Sequence, residues 1–128
     1  MKWAIGENKN KAENPNLQNS DEYEIHWLHI ENVYAHACEP CIINFTNPTP
    51  RQERKTKRIE EYIHTGGWLD PSEIRKVKEG CIKFEGRHRL VVAHKMGETH
   101  APFSIRKEHI EQLRLLLNEK NNNGKANR

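Results

Sequence analysis

Apolar and polar residues alternate with a strand-like period in several short segments of the chain. YEIHWLHIENVY, residues 23–34, mixes aromatic and β-branched residues with polar ones, which predicts an imperfect strand. The continuously apolar run CIINF, residues 41–45, predicts a short buried strand. HAPFSI, residues 100–105, also alternates, and Pro102 favours an edge strand or a strand start because proline cannot donate to a ladder.

Helical spacing is clearest in two other segments. Thr49 can cap a helix, Pro50 suits its first position and Gln52 completes a capping-box spacing, which together predict a helix over residues 50–65. Its expected apolar face consists of Ile59, Tyr62 and Ile63. A second amphipathic helix is predicted over residues 107–119. Its apolar positions are Ile110, Leu113, Leu116 and Leu117.

The segment between these helices, residues 68–86, is compatible with two structures. Asp70, Pro71 and Glu73 are typical of the start of a short helix. The apolar residues on either side of Gly80 suit two strands joined by a turn equally well. With either outcome, helices and strands are interleaved, and the expected class is a small α+β domain.

Composition limits the size of the core. Of the 128 residues 34% are hydrophobic, so we expect one modest domain over residues 21–118. The polar ends, residues 1–20 and 119–128, predict flexible tails. The net charge is only +3, but RQERKTKR, residues 51–58, holds five cations. The cations that recur at three- and four-residue spacing, and that we expect to contact nucleic acid, are Arg51, Arg54, Lys55 and Arg58.

No apolar run approaches the ~20 residues that cross a bilayer. The N-terminus also lacks the apolar core of a signal peptide. We therefore expect a cytoplasmic protein without a membrane partner. The three cysteines are an odd number and are expected to stay thiols in such a reducing compartment.

A zinc site would be another use of the cysteines, because CEPC has the Cys-x-x-Cys spacing of zinc ligands. The candidate ligands are His26, His29, His36, Cys38 and Cys41. The chain has no second Cys-x-x-Cys, however, and His26 and His29 would project from opposite faces of a strand. Small buried cysteines and exposed histidines are therefore favoured over zinc. Trp27 and Trp68 are likewise predicted to lie in the core.

The strongest candidate site is FEGRHRLVVAHKMG, residues 84–97, where a strand-like run, a glycine and a helical pattern follow one another. Gly86 would let the backbone approach a ligand closely, and the amides after it would begin a helix. Arg87 and Arg89 could grip a phosphate bidentately. The alternative is that these cations only pair with Glu85 and neighbouring acids. The helix start favours a nucleotide phosphate.

The order of these segments resembles that of the ParB N-terminal domain and sulfiredoxin-like superfamily. The order is NPTPR, a basic helix, GGWLDP, a strand and EGRHRLVVAHKMGETHAPFSI, over roughly residues 25–105. The most specific part is EGRHRL, residues 85–90, which is similar to the phosphate-loop signature of the superfamily. The resemblance implies a hairpin for the ambiguous segment and a small mixed sheet with flanking helices. The residues that it implies for phosphate binding are Gly86, Arg87, His88 and Arg89.

Members of this superfamily variously bind CTP or ATP, hydrolyse nucleotides, phosphorylate serine, reduce sulfinic acid or act as nucleases. The resemblance therefore implies a nucleoside triphosphate and Mg²⁺ as cofactors, with Glu85 and His88 as candidate catalytic residues. Arg87 stands where sulfiredoxins carry a reactive cysteine, so sulfinate reduction is not expected. The alternative function is that of a noncatalytic DNA- or protein-binding regulator or inhibitor from a phage or plasmid.

Overall fold

The computed structural model of the protein describes residues 1–12, 21–38 and 48–117. The strands are β1 (Tyr23–His29), β2 (Ser72–Lys78), β3 (Cys81–Glu85) and β4 (His100–Arg106). The helices are α1 (Ile30–Ala35), α2 (Pro50–His64), α3 (Arg87–Lys95) and α4 (Ile110–Leu117), with 3₁₀ turns at Gly6–Asn8 and Lys107–His109. This mixture of one sheet with flanking helices confirms the expected α+β class.

The four strands form one mixed sheet in the order β1-β4-β2-β3. β4 pairs antiparallel with β1 and parallel with β2, while β2 and β3 form an antiparallel hairpin. Gly80 has a φ of +85° in the turn of that hairpin, a conformation that favours glycine. The hairpin alternative for the ambiguous segment is therefore confirmed. Because α3 connects β3 to β4, its first turn lies at the end of β3.

The first predicted strand is shorter than expected, because β1 ends at His29 and α1 follows at once. The His29 side chain caps this helix, with Nδ1 accepting a hydrogen bond from the Asn32 backbone N–H at 3.3 Å. Ile30 and Val33 point into the core at helical spacing. Trp27 is 51% exposed, so the expectation that it lies in the core is wrong. It alternates with Leu28, which takes the buried position on β1.

Pro102 lies in a strand that has neighbours on both sides rather than at an edge of the sheet. On the β1 side it stands opposite Trp27. On the β2 side the pairing begins one residue later, with Ser72 opposite Phe103. The missing N–H of Pro102 therefore falls before the ladder with β2 begins, which is why a central strand tolerates it.

α2 agrees closely with its predicted range. Thr49 Oγ1 accepts from the Gln52 backbone N–H at 3.2 Å, and Gln52 Oε1 accepts from the Thr49 N–H at 2.8 Å. This reciprocal pair is the predicted capping box, with Pro50 at the first helical position. Gly66, with a φ of +88°, follows the helix end.

The predicted N-terminal tail is partly within the described residues, and α4 ends just before the predicted C-terminal tail. Residues 1–12 pack onto the domain: Trp3 is 8% exposed, and the Ala4 N–H donates to the Leu69 carbonyl at 2.7 Å. The sequence assigned these residues to a flexible tail, and in the structure Trp3, Ala4 and Ala12 of this segment are buried. At the other end, Leu113 and Leu117 of α4 are buried as expected. Residues 13–20 and 118–128 lie outside the described ranges, as does the predicted strand at 41–45.

The expectation of free thiols is wrong for two of the three cysteines, because Cys38 and Cys81 form a disulfide. The chain after α1 turns alongside the start of β3, where Ala37 bridges to Ile82. The Cys38 N–H also donates to the Ile82 carbonyl at 2.8 Å. This short backbone pairing places the two sulfurs side by side. Cys41 lies outside the described residues.

The core lies where the sheet packs against the helices. Its largest fully buried apolar side chains belong to Ile30, Ile74, Ile82, Phe84, Leu90, Phe103 and Ile105. Leu90 anchors α3 to the core through its first full turn, which fixes the start of that helix against the sheet. Within the described ranges, no helix has the length and apolar character needed to span a bilayer.

Candidate anion-binding site

Gly86 forms the corner between β3 and α3. It has a φ of +89° at the N-cap of α3, and the helix start has no side-chain cap. A Cβ on Gly86 would lie 2.7 Å from Ser72 Oγ and 3.2 Å from Arg89 Cζ. Ser72 Oγ donates to the Gly86 carbonyl at 3.1 Å. Both the backbone conformation and the close neighbours therefore demand glycine here.

Arg89 anchors this corner to the strand beside it. Its Nη1 donates to the Asp70 carbonyl at 2.8 Å and to the Pro71 carbonyl at 3.0 Å. Burial lowers the pKa of Arg89, and nearby carboxylates oppose that effect. These carboxylates belong to Asp70, Glu85 and Glu73. Arg89 thus holds the entry to β2 against the first turn of α3, and its role in phosphate binding stays a prediction.

Arg87 begins α3, and α1 fixes its backbone. Tyr34 Oη donates to the Arg87 carbonyl at 2.8 Å. The Tyr34 ring also packs edge-on against Phe84 of β3, with 5.4 Å between the ring centroids. Three elements therefore meet at Arg87 and hold the first turn of α3 in place.

His88 is half-buried in the same turn and lies in a strongly positive environment. Burial, the largest cause, and the charges of three cations together lower the pKa of His88 from 6.5 to about 4. In decreasing order of effect these cations are Arg87, Lys55 and Arg51. At pH 7 the imidazole is therefore neutral. The structure thus brings together two regions that the sequence singled out separately, the Gly86 corner and the N-terminal half of α2.

Of the four predicted cations of α2, two influence this corner. Arg51, Arg54, Lys55 and Arg58 are all exposed, and none forms an ion pair with another described residue. Arg54 lines a separate cleft that includes Glu60 of α2 and Lys95 of α3. Of these four cations, only Arg51 and Lys55 affect the pKa of His88. We define the anion corner as Gly86, Arg87, His88, Arg51 and Lys55.

Glu85 is exposed at the end of β3 and stands opposite Glu73 in the hairpin. Its charge affects the pKa of Arg89, whereas it is not among the groups that shift His88. In the described part of the chain, Glu85 and His88 make no hydrogen bond with each other. The two candidate catalytic residues therefore share a corner without forming a pair.

The histidines of the zinc alternative have other partners. His26 Nε2 lies 2.9 Å from Glu24 Oε1, His29 caps α1, and His36 Nδ1 lies 2.9 Å from the Asn32 carbonyl. Cys38 is bound in the disulfide. Among the residues that the structure describes, no three His, Cys, Asp or Glu side chains are grouped so as to hold a metal ion.

Several residues that shape the anion corner escaped sequence analysis. Ser72 lies 14 residues from Gly86, and Tyr34 lies 53 residues from Arg87. Neither has a local motif that marks it as part of a site. Only the packing of α1 and β2 around α3 brings them there.

Models of known protein families and curated protein sequences were both compared with the chain, and neither comparison gives a match. The resemblance to the ParB N-terminal domain and sulfiredoxin-like superfamily therefore rests on the order and residues of the segments described above.

Proposed function

We propose that the anion corner binds a phosphate group of a nucleotide or nucleic acid. The observation that carries this proposal is the packing of α2 against α3, which brings the charges of Arg51 and Lys55 close enough to His88, beside Arg87, to lower its pKa. Like charges that approach one another at a protein surface repel, and among the described residues no acid neutralises Arg51 or Lys55. A bound anion would turn this repulsion into attraction.

Phosphate suits this corner better than a simple halide or a carboxylate. The uncapped start of α3 directs backbone N–H groups and the positive end of the helix dipole outward. The guanidinium of Arg87, the ammonium of Lys55 and the imidazole of His88 would each supply a donor to a phosphate oxygen.

The resemblance to the superfamily supports a nucleotide or a nucleic acid as the source of the phosphate. Of the nucleotides, ATP or CTP with Mg²⁺ is the form that the resemblance favours. In that case Glu85, exposed at the rim of the corner, is the side chain that would approach a phosphate-bound Mg²⁺.

Hydrolysis of the bound phosphate compound is a second candidate function, favoured by the neutral state of His88. Burial and the cations around it lower the pKa of His88 to about 4, so this imidazole has a free lone pair at pH 7. A bound phosphate would offset the charge of these cations and raise the basicity of His88, which could then accept a proton from an attacking water. If the bound compound is not turned over, the protein is better described as a noncatalytic DNA- or protein-binding regulator, as expected of a phage or plasmid protein.

The test is isothermal titration of the protein with ATP, CTP and a short oligonucleotide, with and without Mg²⁺. Arg87→Ala and Lys55→Ala should each weaken binding about ten- to hundredfold, since a charge-assisted contact contributes roughly 1.5–3 kcal/mol. Lys95→Ala is the matched control, because Lys95 lies at the far end of α3 and pairs with Glu60. Equal affinities of the Lys55→Ala and Lys95→Ala proteins would contradict the proposal.

A cytoplasmic location also stays a proposal. The Cys38–Cys81 disulfide is of a type that is rare in that compartment. Rapid alkylation of free thiols in intact cells, followed by mass spectrometry, would decide between the cytoplasm and an oxidising compartment. A cytoplasmic protein should carry the alkyl group on both Cys38 and Cys81.

A further inference from the structure

One flank of α2 carries a row of side chains at helical spacing. Arg51, Lys55, Arg58 and Tyr62 are separated by four, three and four residues, so they lie one above another along the helix. The first three are exposed and Tyr62 is half-buried. The core-facing side of the helix includes Thr56, Ile59 and Ile63, and Tyr62 also packs against the core at the edge of this side.

This row begins at the anion corner, because Arg51 and Lys55 belong to it. It ends at Trp68. Tyr62 Oη donates to the Trp68 carbonyl at 3.0 Å. Between them, Gly67 lies so close to the Tyr62 ring that a Cβ at this position would be 2.5 Å from it. The last side chain of the row is thus tied directly to the tryptophan.

Trp68 is half-buried rather than a core residue as the sequence predicted. Cations lie over its ring, with Lys11 Nζ 4.8 Å and Lys2 Nζ 5.5 Å from the ring centroid. Both lysines come from the N-terminal segment that Trp3 anchors in the core. A half-buried aromatic ring therefore lies at the opposite end of the row from the anion corner, and a base that stacks on it would replace the lysine ammonium groups over the ring.

We propose that a single-stranded nucleic acid binds along this row, with one phosphate in the anion corner and a base against Trp68. The proposal rests on the proposed phosphate-binding function and names its ligand class. Arg51 and Tyr62 are separated by about 16 Å along the helix axis, at roughly 1.5 Å per residue. Cations at regular intervals over such a distance match successive backbone phosphates, and an aromatic ring at the end matches an unpaired base.

The aromatic end of the row distinguishes a single strand from a duplex. Duplex DNA offers phosphates to the cations but keeps the faces of its bases stacked inside the helix. A single strand can turn a base onto Trp68, and such stacking tolerates any base sequence. We therefore expect little sequence preference and strong salt dependence.

The test is fluorescence anisotropy with a labelled oligothymidine of about twelve nucleotides, the matching duplex and ATP. Arg58→Glu should weaken binding of the single strand at least about tenfold and leave ATP affinity nearly unchanged, because Arg58 does not affect His88. Lys57→Glu, a matched reversal at an exposed position on the other flank of α2, should change neither. Trp68→Leu should weaken single-strand binding roughly ten- to hundredfold.

Two results would overturn the proposal: equal affinity for the single strand and the duplex, or an unchanged single-strand affinity in the Arg58→Glu protein. If ATP binding is still lost in the Arg87→Ala protein in either case, the phosphate-binding function stands and only the extended track fails. If neither ATP nor any oligonucleotide binds, both proposals fail. Circular dichroism checks that Trp68→Leu folds, and the exposed Arg58 provides the test if it does not.

Discussion

The two ends of α3 have opposite electrostatic surroundings. At the C-terminal end each basic side chain lies against an acid: Lys95 Nζ lies 2.9 Å from Glu60 Oε2, and His94 Nε2 lies 3.0 Å from Glu31 Oε2. At the N-terminal end, His88 meets only cations among the groups that shift its pKa. Both ends face α2, so one pair of helices is held by attraction at one end and opposed by repulsion at the other.

This difference indicates that the cations around His88, unlike the anchoring Arg89, do not stabilise the fold by pairing with acids. Ion pairs at the far end contribute modestly to folding, as surface pairs usually do. Clustered cations at the near end repel one another, and the proposed phosphate would offset this repulsion. The predictions that follow test the contrast between the two ends, starting with the largest expected effect.

Glycines at the two ends of α3 allow the packing around each end to be compared directly. Gly86 and Gly97 flank α3 with φ values of +89° and +90°, but a Cβ at Gly97 would have no neighbour within 4 Å. Gly97→Ala should therefore cost only the left-handed conformation, about 1–2 kcal/mol. Gly86→Ala adds a clash with Ser72 and should cost about 2–5 kcal/mol in all. Urea unfolding of both variants measures the difference, and equal losses would show that the Gly86 corner is not closely packed.

Arg89→Ala should lower the free energy of unfolding by about 1.5–3 kcal/mol, because it removes a charged donor from the carbonyls of Asp70 and Pro71. Lys55→Ala, which removes an exposed cation from the same corner, should change stability by less than about 0.5 kcal/mol. Thermal unfolding of the two variants separates an anchoring cation from an exposed one that does not support the fold. A larger loss for Lys55→Ala than for Arg89→Ala would reverse these roles.

The pH dependence of stability should reveal the His88 environment. The pKa of His88 is about 4 in the folded protein against 6.5 ordinarily, so the unfolded chain takes up the proton first as pH falls. His88 therefore makes stability decrease as the pH drops from about 6.5 towards about 4, and this loss is complete below that range. His88→Gln should flatten this part of the curve. Parallel curves for the two proteins, measured by urea unfolding at several pH values, would show that His88 titrates normally.

Charge reversal should have small effects of opposite sign at the two ends. Lys95→Glu replaces the attraction to Glu60 by repulsion and should lower the free energy of unfolding by about 0.2–1 kcal/mol. Lys55→Glu relieves repulsion around His88 and should leave stability equal or slightly higher. Melting temperatures at low salt measure both changes, and high salt should reduce them. A loss of stability in both variants would contradict the inferred difference between attraction at one end of α3 and repulsion at the other.

The parts of the fold that sequence predicted are those specified by local interactions. The capping box of α2 joins Thr49 to Gln52 within one turn, so its residues reveal it directly. The start of α1 was missed because His29, which is not among the usual N-cap residues, supplies the cap. The disulfide was missed because spacing alone does not reveal which cysteines meet across 43 residues.

The candidate site shows the same limit. Gly86 and the cations after it could be singled out because a strand, a glycine and a helix follow one another in the sequence. The anchoring contacts of Arg89 could not, since Asp70 and Pro71 lie 19 and 18 residues away. The effect of Arg51 and Lys55 on His88 depends on how α2 packs against α3, which no local pattern contains.

The Cys38–Cys81 disulfide also has a mechanical consequence. It closes a loop of chain with a sequence separation of 43 residues, and this loop contains α2 and β2. When the protein is stretched from its two termini, the force passes through the disulfide, and roughly 150 Å of chain cannot be extended, at about 3.5 Å per residue. Unfolding in an optical trap should therefore gain that much extra length after reduction. While the disulfide is intact, the basic helix α2 lies in the part of the chain that tension does not reach.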